Sequence, residues 1–390
     1  MSKPIHNPSR PSRTTGFTLI ELMVAMALSL LLLGMAFTLV QQLNTTADFV
    51  GSMSDVNENL RAGLNMVSRD LSQAGENIPV GGLPVPSGGT ATAINRPGPG
   101  ALTFPATGYI PVLTPGYGLG PTQGSGVGMY ETDIVNIVTV NQSSLFNQTA
   151  VNTTTSPPTI APTSATITVA TAAAGYVQPG QLIMLEDPNG SCLLAASSVN
   201  TTTGVITFNH PDNTNDLLGV NQFPTLSGTG AITAGPTSGT ILQLETATTK
   251  NGTTTYAWPS LLTAYPVSMV TYYLNTLTPQ RSLVRLATMG TGSCALVSCT
   301  QVVALGINVM TISYSCAPPT SPCSPPAADP TRSPANPNSV RKVVLTMIAE
   351  TDHLNLGNGQ WYSRSLTNSL TIQNLDYSNK YSLGASMTQN

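Results

Sequence analysis

The most unusual ionisable residue in the sequence is Glu21, a carboxylic acid at the start of an apolar run. The nineteen residues from Leu22 to Val40 carry no charge, and as a helix they span roughly 28 Å, close to the roughly 30 Å core of a bilayer. A carboxylate at the end of such a segment is costly in lipid and normally has a partner. The chemistry predicted at Glu21 is therefore ion pairing in or beside a membrane.

The residues around this acid read Gly16-Phe17-Thr18-Leu19-Ile20-Glu21-Leu22-Met23-Val24. The segment resembles the type IV prepilin motif, in which a dedicated peptidase cuts after the glycine and methylates the new N-terminal Phe. In that motif a glutamate follows at the fifth mature position. The resemblance implies processing at Gly16 and Phe17, and an assembly role for Phe17 and Glu21.

The spacing of Phe17 and Glu21 also has a physical explanation that does not depend on the resemblance. A cut after Gly16 creates a cationic amine on Phe17, and one helical turn places it beside the carboxylate of Glu21, in the same subunit or in a neighbour. Either pairing offsets the cost of burying the acid. In the pilin family the partner is taken to be an adjacent subunit, which sets the axial register. The alternative is a simple membrane anchor with an acidic residue near the interface.

The charges on either side of the apolar run predict its orientation. Lys3, Arg10 and Arg13 precede Gly16 with no acidic residue among them, whereas acidic residues follow at positions 48–58. We therefore expect a single-pass inner-membrane precursor with its N-terminus in the cytoplasm and its C-terminus in the periplasm. A conventional secretory signal would instead place a small-residue cleavage site after its apolar region. The resemblance implies later transfer to a pilus at the cell surface.

The helix is predicted to continue beyond the membrane as an amphipathic segment. Apolar residues recur every three or four positions at Phe49, Met53, Val56, Leu60, Leu64, Val67, Leu71 and Ala74. The other face is predicted to carry Asp55, Glu58, Arg61, Arg69 and Asp70. Gly75 and Pro79 supply a stop. We expect the apolar stripe to pack against the domain that follows.

Beyond Gly75 the pattern changes to short apolar stretches separated by Gly, Pro, Ser, Thr and Asn, which predicts strands. The candidates are Asp133–Val140, Ala165–Ala170, Gln181–Leu185, Val205–Phe208, Thr240–Leu244, Met269–Leu274, Ser282–Leu286, Val302–Tyr314, Val340–Glu350 and Ser363–Leu375. Segments 79–129, 143–163, 224–238 and 317–339 are predicted loops or insertions.

The predicted fold class is α+β, with a long N-terminal helix packed on a C-terminal antiparallel β-rich domain that has long loops. We divide the chain into a leader (1–16), the helix (17–74, membrane-spanning over about 22–40) and one exported β-rich domain (75–390). A further boundary near residue 250 is the alternative.

The end of the helix extends the resemblance. Leu60-Arg61, followed by Arg69 to Gly75, is similar to the helix end of PilW-type minor pilins, which tend to finish with paired strands. The resemblance implies a minor pilin in pilus initiation or assembly. Its partners would be other minor pilins, the major pilin, the prepilin peptidase and an inner-membrane assembly platform. A J-type pseudopilin of type II secretion and a tip-exposed adhesin are the alternatives.

The five cysteines are Cys192, Cys294, Cys299, Cys316 and Cys323. The last four form two close pairs by sequence, so two short disulfide loops, 294–299 and 316–323, are the simplest interpretation, and they fit an oxidising compartment. Five cysteines allow fifteen ways of choosing two disulfide bonds, and this scheme leaves Cys192 unpaired. A zinc site would require tighter ligand pairs or a nearby histidine.

Catalysis and metal binding have little support in the sequence. Asp212-Asn213-Thr214-Asn215-Asp216 offers alternating oxygen ligands of the kind calcium accepts, but it lacks the glycine and terminal glutamate of the standard calcium loop. We retain Asp212 and Asp216 as calcium candidates and expect no other cofactor. Because no Gly-x-Ser-x-Gly turn occurs and neither His210 nor His353 lies in a recognisable motif, we expect no enzymatic activity.

Composition argues against nucleic acid as the main partner. Charged residues make up 8% of the chain, against roughly a quarter in ordinary soluble domains. The formal net charge is −3, and loss of the three cations of the leader would make it −6. A mildly acidic product without a basic run has few groups to neutralise phosphates.

Overall fold

The computed structural model describes residues 16–79, 82–95, 104, 108–121, 131–140, 146, 148–226, 232–250, 253–275, 281–288, 300–316, 339–354 and 361–372. A long N-terminal helix, α1 (Leu19–Ser72), is followed by a β-rich region. That region also contains the short helix α2 (Thr171–Ala174) and a 3-10 turn at Ile241–Leu244. The predicted α+β class is confirmed.

The strands of the described residues are, in chain order, β1 (Leu83–Pro84), β2 (Tyr109–Ile110), β3 (Leu113–Gly116), β4 (Ile134–Val140), β5 (Thr149–Ala150), β6 (Thr159–Ala161), β7 (Ser164–Thr168), β8 (Leu182–Asp187), β9 (Gly190–Ala195), β10 (Ser198–Asn200), β11 (Val205–Asn209), β12 (Thr225–Leu226), β13 (Ile232–Ala234), β14 (Thr246–Lys250), β15 (Thr253–Ala257), β16 (Thr263–Asn275), β17 (Ser282–Thr288), β18 (Thr300–Leu305), β19 (Ile307–Cys316), β20 (Val340–Leu354) and β21 (Trp361–Thr371).

Two antiparallel sheets face the helix. The larger has the order β18-β17-β16-β4-β3, with β5 and β8 also paired to β16 and β9 paired to β8. The smaller has the order β19-β20-β21. Helix α1 contacts β18 of the first sheet and β20 and β21 of the second. One helix face therefore covers parts of both sheets.

The predicted apolar stripe forms the helix side of the main core. Its members from Val56 to Ala74 are buried, and they share one cluster with sheet residues such as Val270, Ile312 and Leu345. Burial of each such valine or leucine contributes about 1.5–3 kcal/mol. The packing predicted for this stripe is confirmed. It holds the C-terminal part of α1, from about Val56 onward, on the domain; we call this part the lower half of the helix and the part before it the upper half.

The helix is slightly shorter at both ends than the predicted span from Phe17 to Ala74. It begins at Leu19, because Thr18 adopts an extended backbone and caps it. It ends at Ser72, and Gly75 takes a left-handed backbone with a φ of 76°. A glycine in this conformation is a common helix terminator. Its N–H donates to the carbonyl of Val138 at 3.0 Å and so directs the chain toward the sheet.

Two strand predictions are wrong. The segment Thr240–Leu244 contains a 3-10 turn instead of a strand. The segment Val302–Tyr314 divides at Gly306, whose φ of 72° is left-handed, into β18 and β19 of different sheets. The alternation of apolar and polar residues can continue across a break such as Gly306. Alternation shows which side chains share a face of a strand but not which strand it pairs with.

The predicted loop segments also contain short strands. β1, β2 and β3 lie within 79–129, β5 and β6 lie within 143–163, and β12 and β13 lie within 224–238. These strands have two to four residues each, too few for hydrophobic periodicity to show. In segment 317–339, only residue 339 belongs to the described residues.

A second core lies in the segment that joins two neighbouring strands. β4 pairs directly with β16, yet more than one hundred residues separate them, and these contribute most of a separate apolar cluster. Its members include Phe146, Ile167, Cys192, Phe208 and Leu262. The domain is thus a helix-covered part extended by a large insertion with its own interior.

Asp133 connects the two sheets at the start of β4. Its backbone N–H donates to the carbonyl of Met310 at 2.9 Å, and its Oδ2 accepts from the backbone N–H of Ile312 at 2.7 Å. Oδ1 accepts from the N–H of Gly118 at 3.0 Å. Because β19 pairs with β20 on its other side, Asp133 occupies the opposite edge of β19 at these positions.

Candidate functional site

The first residues of α1 form a capping box. The backbone N–H and the hydroxyl of Thr18 both donate to Oε2 of Glu21, at 3.0 and 2.9 Å, and the N–H of Glu21 donates to Oγ1 of Thr18 at 3.3 Å. These bonds satisfy backbone donors that a helix N-terminus leaves without partners. They also hold a negative charge at the positive end of the helix dipole.

This arrangement gives Glu21 a partner that sequence reasoning missed. The expected partner was the amine of Phe17, but in the described chain Phe17 is still joined to Gly16 by a peptide bond. The spacing Thr18-x-x-Glu21 is itself a recognised cap signal and could have indicated the pairing. A carboxylate accepts several hydrogen bonds. The carboxylate of Glu21 can therefore accept from Thr18 and also from an amine on Phe17.

The peptide bond between Gly16 and Phe17 is accessible. Both residues are exposed, and the side chain of Phe17 is 86% exposed. A Cβ atom added at Gly16 would meet no neighbour within 4 Å. A processing enzyme would therefore reach this bond without displacing any part of the described domain.

The upper half of α1 presents an exposed apolar surface. The exposed large apolar side chains between Phe17, just before the helix, and Val50 are Phe17, Leu19, Ile20, Leu22, Met23, Val24, Met26, Leu28, Leu30, Leu31, Leu32, Leu33, Met35, Phe37, Leu39, Val40, Leu43 and Val50. Among the described residues, α1 is the one helix that is long and apolar enough to cross a membrane, and its most apolar stretch is not buried at all. Apolar surface of this extent requires cover by lipid or protein.

A comparison with protein families assigns a class to this segment. Residues 11–37 match the model of the prokaryotic N-terminal methylation motif, and the match includes the end of the leader, the capping box and much of the apolar run. This motif suggests a type IV pilin-like or pseudopilin-like precursor. Such a motif implies processing by a prepilin peptidase and assembly at a membrane.

The other two comparisons give no relative: no curated protein and no solved structure matches the chain.

The lower end of α1 carries a buried ionic cluster that sequence reasoning also missed. Asp70 was predicted on the solvent face but is only 8% exposed. Its Oδ2 accepts from the hydroxyl of Tyr272 in β16 at 2.6 Å and from Nε of Arg285 in β17 at 2.8 Å. The two partners lie 202 and 215 residues further along the chain, so no local pattern could reveal them.

The charges in this cluster support one another. Burial raises the pKa of Tyr272, and the negative charge of Asp70 raises it further, so the phenol is held as a donor. For Arg285, burial lowers the pKa, but the hydrogen bond and charge of Asp70 outweigh burial and the net shift is upward. Removing one member of such a group leaves the others buried and unpaired, which is strongly destabilising.

A second polar contact ties the same helical turn to the other sheet. Nδ2 of Asn368 in β21 donates to Oγ of Ser68 at 3.0 Å. Ser68 is buried, like Asp70. The last turns of α1 are therefore hydrogen-bonded to both sheets, in addition to the apolar packing.

The calcium candidates serve as turn acceptors. Oδ1 of Asp212 accepts from the backbone N–H groups of Thr214 and Asn215, at 3.1 and 3.0 Å. The carboxylate of Asp216 accepts from three backbone N–H groups, those of residues 219–221. Burial raises the pKa of Asp216, and these hydrogen bonds only partly oppose that rise. Among the described residues, no group of three or more His, Cys, Asp or Glu side chains could hold a metal ion.

The cysteines are only partly covered by the described residues. Cys192 is a free, buried thiol within the second core, and burial raises its pKa, so it is a packing residue. Cys316 is the last residue of β19. Cys294, Cys299 and Cys323 lie outside the described residues, so the pairings 294–299 and 316–323 remain predictions.

Proposed function

We propose that this chain is a minor pilin of the PilW type, a structural subunit that takes part in initiating or assembling a type IV pilus at its tip. The supporting observation is the position of Glu21: it lies within the matched methylation motif, at the head of an exposed apolar helix whose lower half is fixed to a folded domain. The role is structural and not catalytic.

The proposed sequence of events begins in the inner membrane. The prepilin peptidase cuts after Gly16 and methylates the amine of Phe17. That amine, or the equivalent amine of a neighbouring subunit, pairs with Glu21. The assembly platform then moves the apolar helix out of lipid and into contact with the helices of other minor pilins and the major pilin. The β-rich domain remains on the periplasmic side and reaches the cell surface with the filament.

The charge of Glu21 is essential in this proposal because it compensates the amine. We expect Glu21→Ala to remove the chain from sheared filaments while the amount of membrane-bound protein stays close to that of the wild type. Immunoblotting of the two fractions measures both. Glu58→Gln is the matched control, since Glu58 is an exposed acid on the same helix. Normal recovery of the Glu21→Ala variant in filaments would contradict the proposal.

The insertion between β4 and β16 supports a second candidate function. It is large, it has its own core, and that core contains no residue of α1, which suits a binding module carried by the filament. A deletion of the whole gene separates the two: loss of filaments indicates assembly, whereas normal filaments with lost attachment indicate adhesion. Neighbouring genes distinguish either from the J-type pseudopilin alternative.

A further inference from the structure

The apolar contact between α1 and the domain repeats along the helix. Val56, Leu60, Leu64, Val67 and Leu71 follow one another at three or four residues and are all buried. A shift of α1 by one turn, about 5.4 Å, would place each of these side chains near the position of the next. Apolar packing is non-directional, so these five side chains alone distinguish poorly between neighbouring registers. The close fit at Gly63, where an added Cβ would lie 3.1 Å from Cδ2 of Leu283, contributes to the choice of register through packing.

The polar contacts of the last turns do distinguish the registers. Asp70 is the acceptor for both Tyr272 and Arg285. After a one-turn shift, the residue nearest to these two donors would be Met66 or Ala74, neither of which has a side-chain oxygen. The phenol would then be buried, and the guanidinium partly buried, without their acceptor, which is costly.

The same turn is also fixed to the second sheet, because Asn368 donates to Ser68. Tyr272 and Arg285 belong to strands β16 and β17 of the larger sheet, and Asn368 belongs to β21 of the smaller one. A slide that brings Leu64 to the position of Ser68 would break this hydrogen bond. The opposite slide would bring Ser72, which also has a hydroxyl, so Ser68 excludes one neighbouring register and Asp70 excludes both.

We propose that Asp70 is a positioning residue that fixes the axial register of α1 on the domain. Asp70 lies forty-nine positions after Glu21, which corresponds to roughly 74 Å of helix. A fixed register gives the exposed apolar half one constant height above the domain. This inference concerns the folded chain and does not depend on the filament function.

The test replaces the polar groups by apolar groups of similar size in the full chain, in detergent micelles. The register variant carries Ser68→Ala, Asp70→Leu, Tyr272→Phe and Arg285→Met, so that no charge is left unpaired and the fold can be retained. Arg69→Ala is the matched control, because Arg69 is exposed beside Asp70. Far-ultraviolet circular dichroism and thermal unfolding establish that each variant is folded.

A pair of engineered cysteines reports the register. The rings of Phe49 and Tyr362 contact each other edge to face, with centroids 6.5 Å apart. Phe49→Cys with Tyr362→Cys therefore reports the native register, and Met53→Cys with Tyr362→Cys reports a helix displaced by one turn. Each pair is treated with a short thiol-specific cross-linker, and the linked peptides are identified and quantified by mass spectrometry.

We expect the 49–362 product to dominate in the wild-type background and in Arg69→Ala. In the folded register variant, the ratio of the 53–362 product to the 49–362 product should rise several-fold. An unchanged ratio in that variant would overturn the proposal, since the register would then be set by packing alone. If the register variant is unfolded, Asp70→Leu with Arg285→Met takes its place, since this pair removes the acceptor and leaves no charge unpaired, and it is judged by the same ratio.

Discussion

At the scale of single residues, Glu21 and Asp70 are both carboxylates of α1, and their surroundings give them different tasks. Glu21 is exposed and accepts hydrogen bonds from Thr18, its neighbour in the first turn. Asp70 is buried and accepts from two distant strands. The first acid remains available to a partner, whereas the second is used inside the fold.

The ionic cluster predicts a large effect of one substitution. Asp70→Ala would leave Arg285 and the hydroxyl of Tyr272 without their acceptor, so we expect the free energy of unfolding to fall by about 3 kcal/mol. Chemical denaturation of the full chain in detergent measures this change. Arg69→Ala, one residue away and exposed, should alter stability by less than about 0.5 kcal/mol. Equal effects of the two substitutions would contradict the role assigned to Asp70.

The stability of the protein is expected to depend on pH through Glu245. Glu245 follows the 3-10 turn, and burial raises the pKa of its carboxyl from 4.5 to about 7. Between these values the folded chain binds more protons than the unfolded chain, so the contribution of Glu245 to stability falls as the pH rises through this window. Glu245→Gln removes the charge, and its melting temperature should exceed that of the wild type at pH 8.

The same difference should shrink at pH 5, where the folded wild type already carries a protonated Glu245. Thermal unfolding of both proteins at the two pH values measures it. A melting-temperature difference that is the same at pH 5 and pH 8 would show that the glutamine acts through packing and not through charge.

At the scale of elements, the closeness of α1 to the sheets depends on Gly63. A Cβ atom at this position would lie 3.1 Å from Cδ2 of Leu283 and 3.3 Å from Cβ of Ala304. We therefore expect Gly63→Leu to lower the free energy of unfolding by about 1–3 kcal/mol through overpacking. Gly51→Leu is the matched control, because nothing lies within 4 Å of a Cβ there and leucine favours helix. A loss of the same size in both would contradict the steric explanation.

The elements also show how far local pattern predicts this fold. The stripe from Val56 to Ala74 and the strands β20 and β21 follow from period and composition, because each repeats over ten residues or more. The break at Gly306 and the 3-10 turn before Glu245 do not, since they depend on which strand lies alongside. Of the candidate site, the motif from Gly16 to Glu21 is evident in sequence. The partners of Asp70 are set by folding alone.

At the scale of the whole molecule, the chain combines two surfaces with different requirements. The upper part of α1 is apolar and exposed, and it is stable only in lipid or against other helices. The lower part is buried on two sheets that carry a large insertion. We infer that the domain anchors the helix and that the exposed half of the helix is the part available for assembly. The insertion has a core of its own but also extends the larger sheet, because β5 and β8 pair with β16.

The most direct test of the filament account is mass spectrometry of the N-terminus of the protein recovered from sheared filaments. The account predicts a chain that begins at Phe17 and carries a methyl group on its amine. Recovery of the chain in filaments with Met1 still attached, or with an N-terminus created beyond the apolar run, would contradict it.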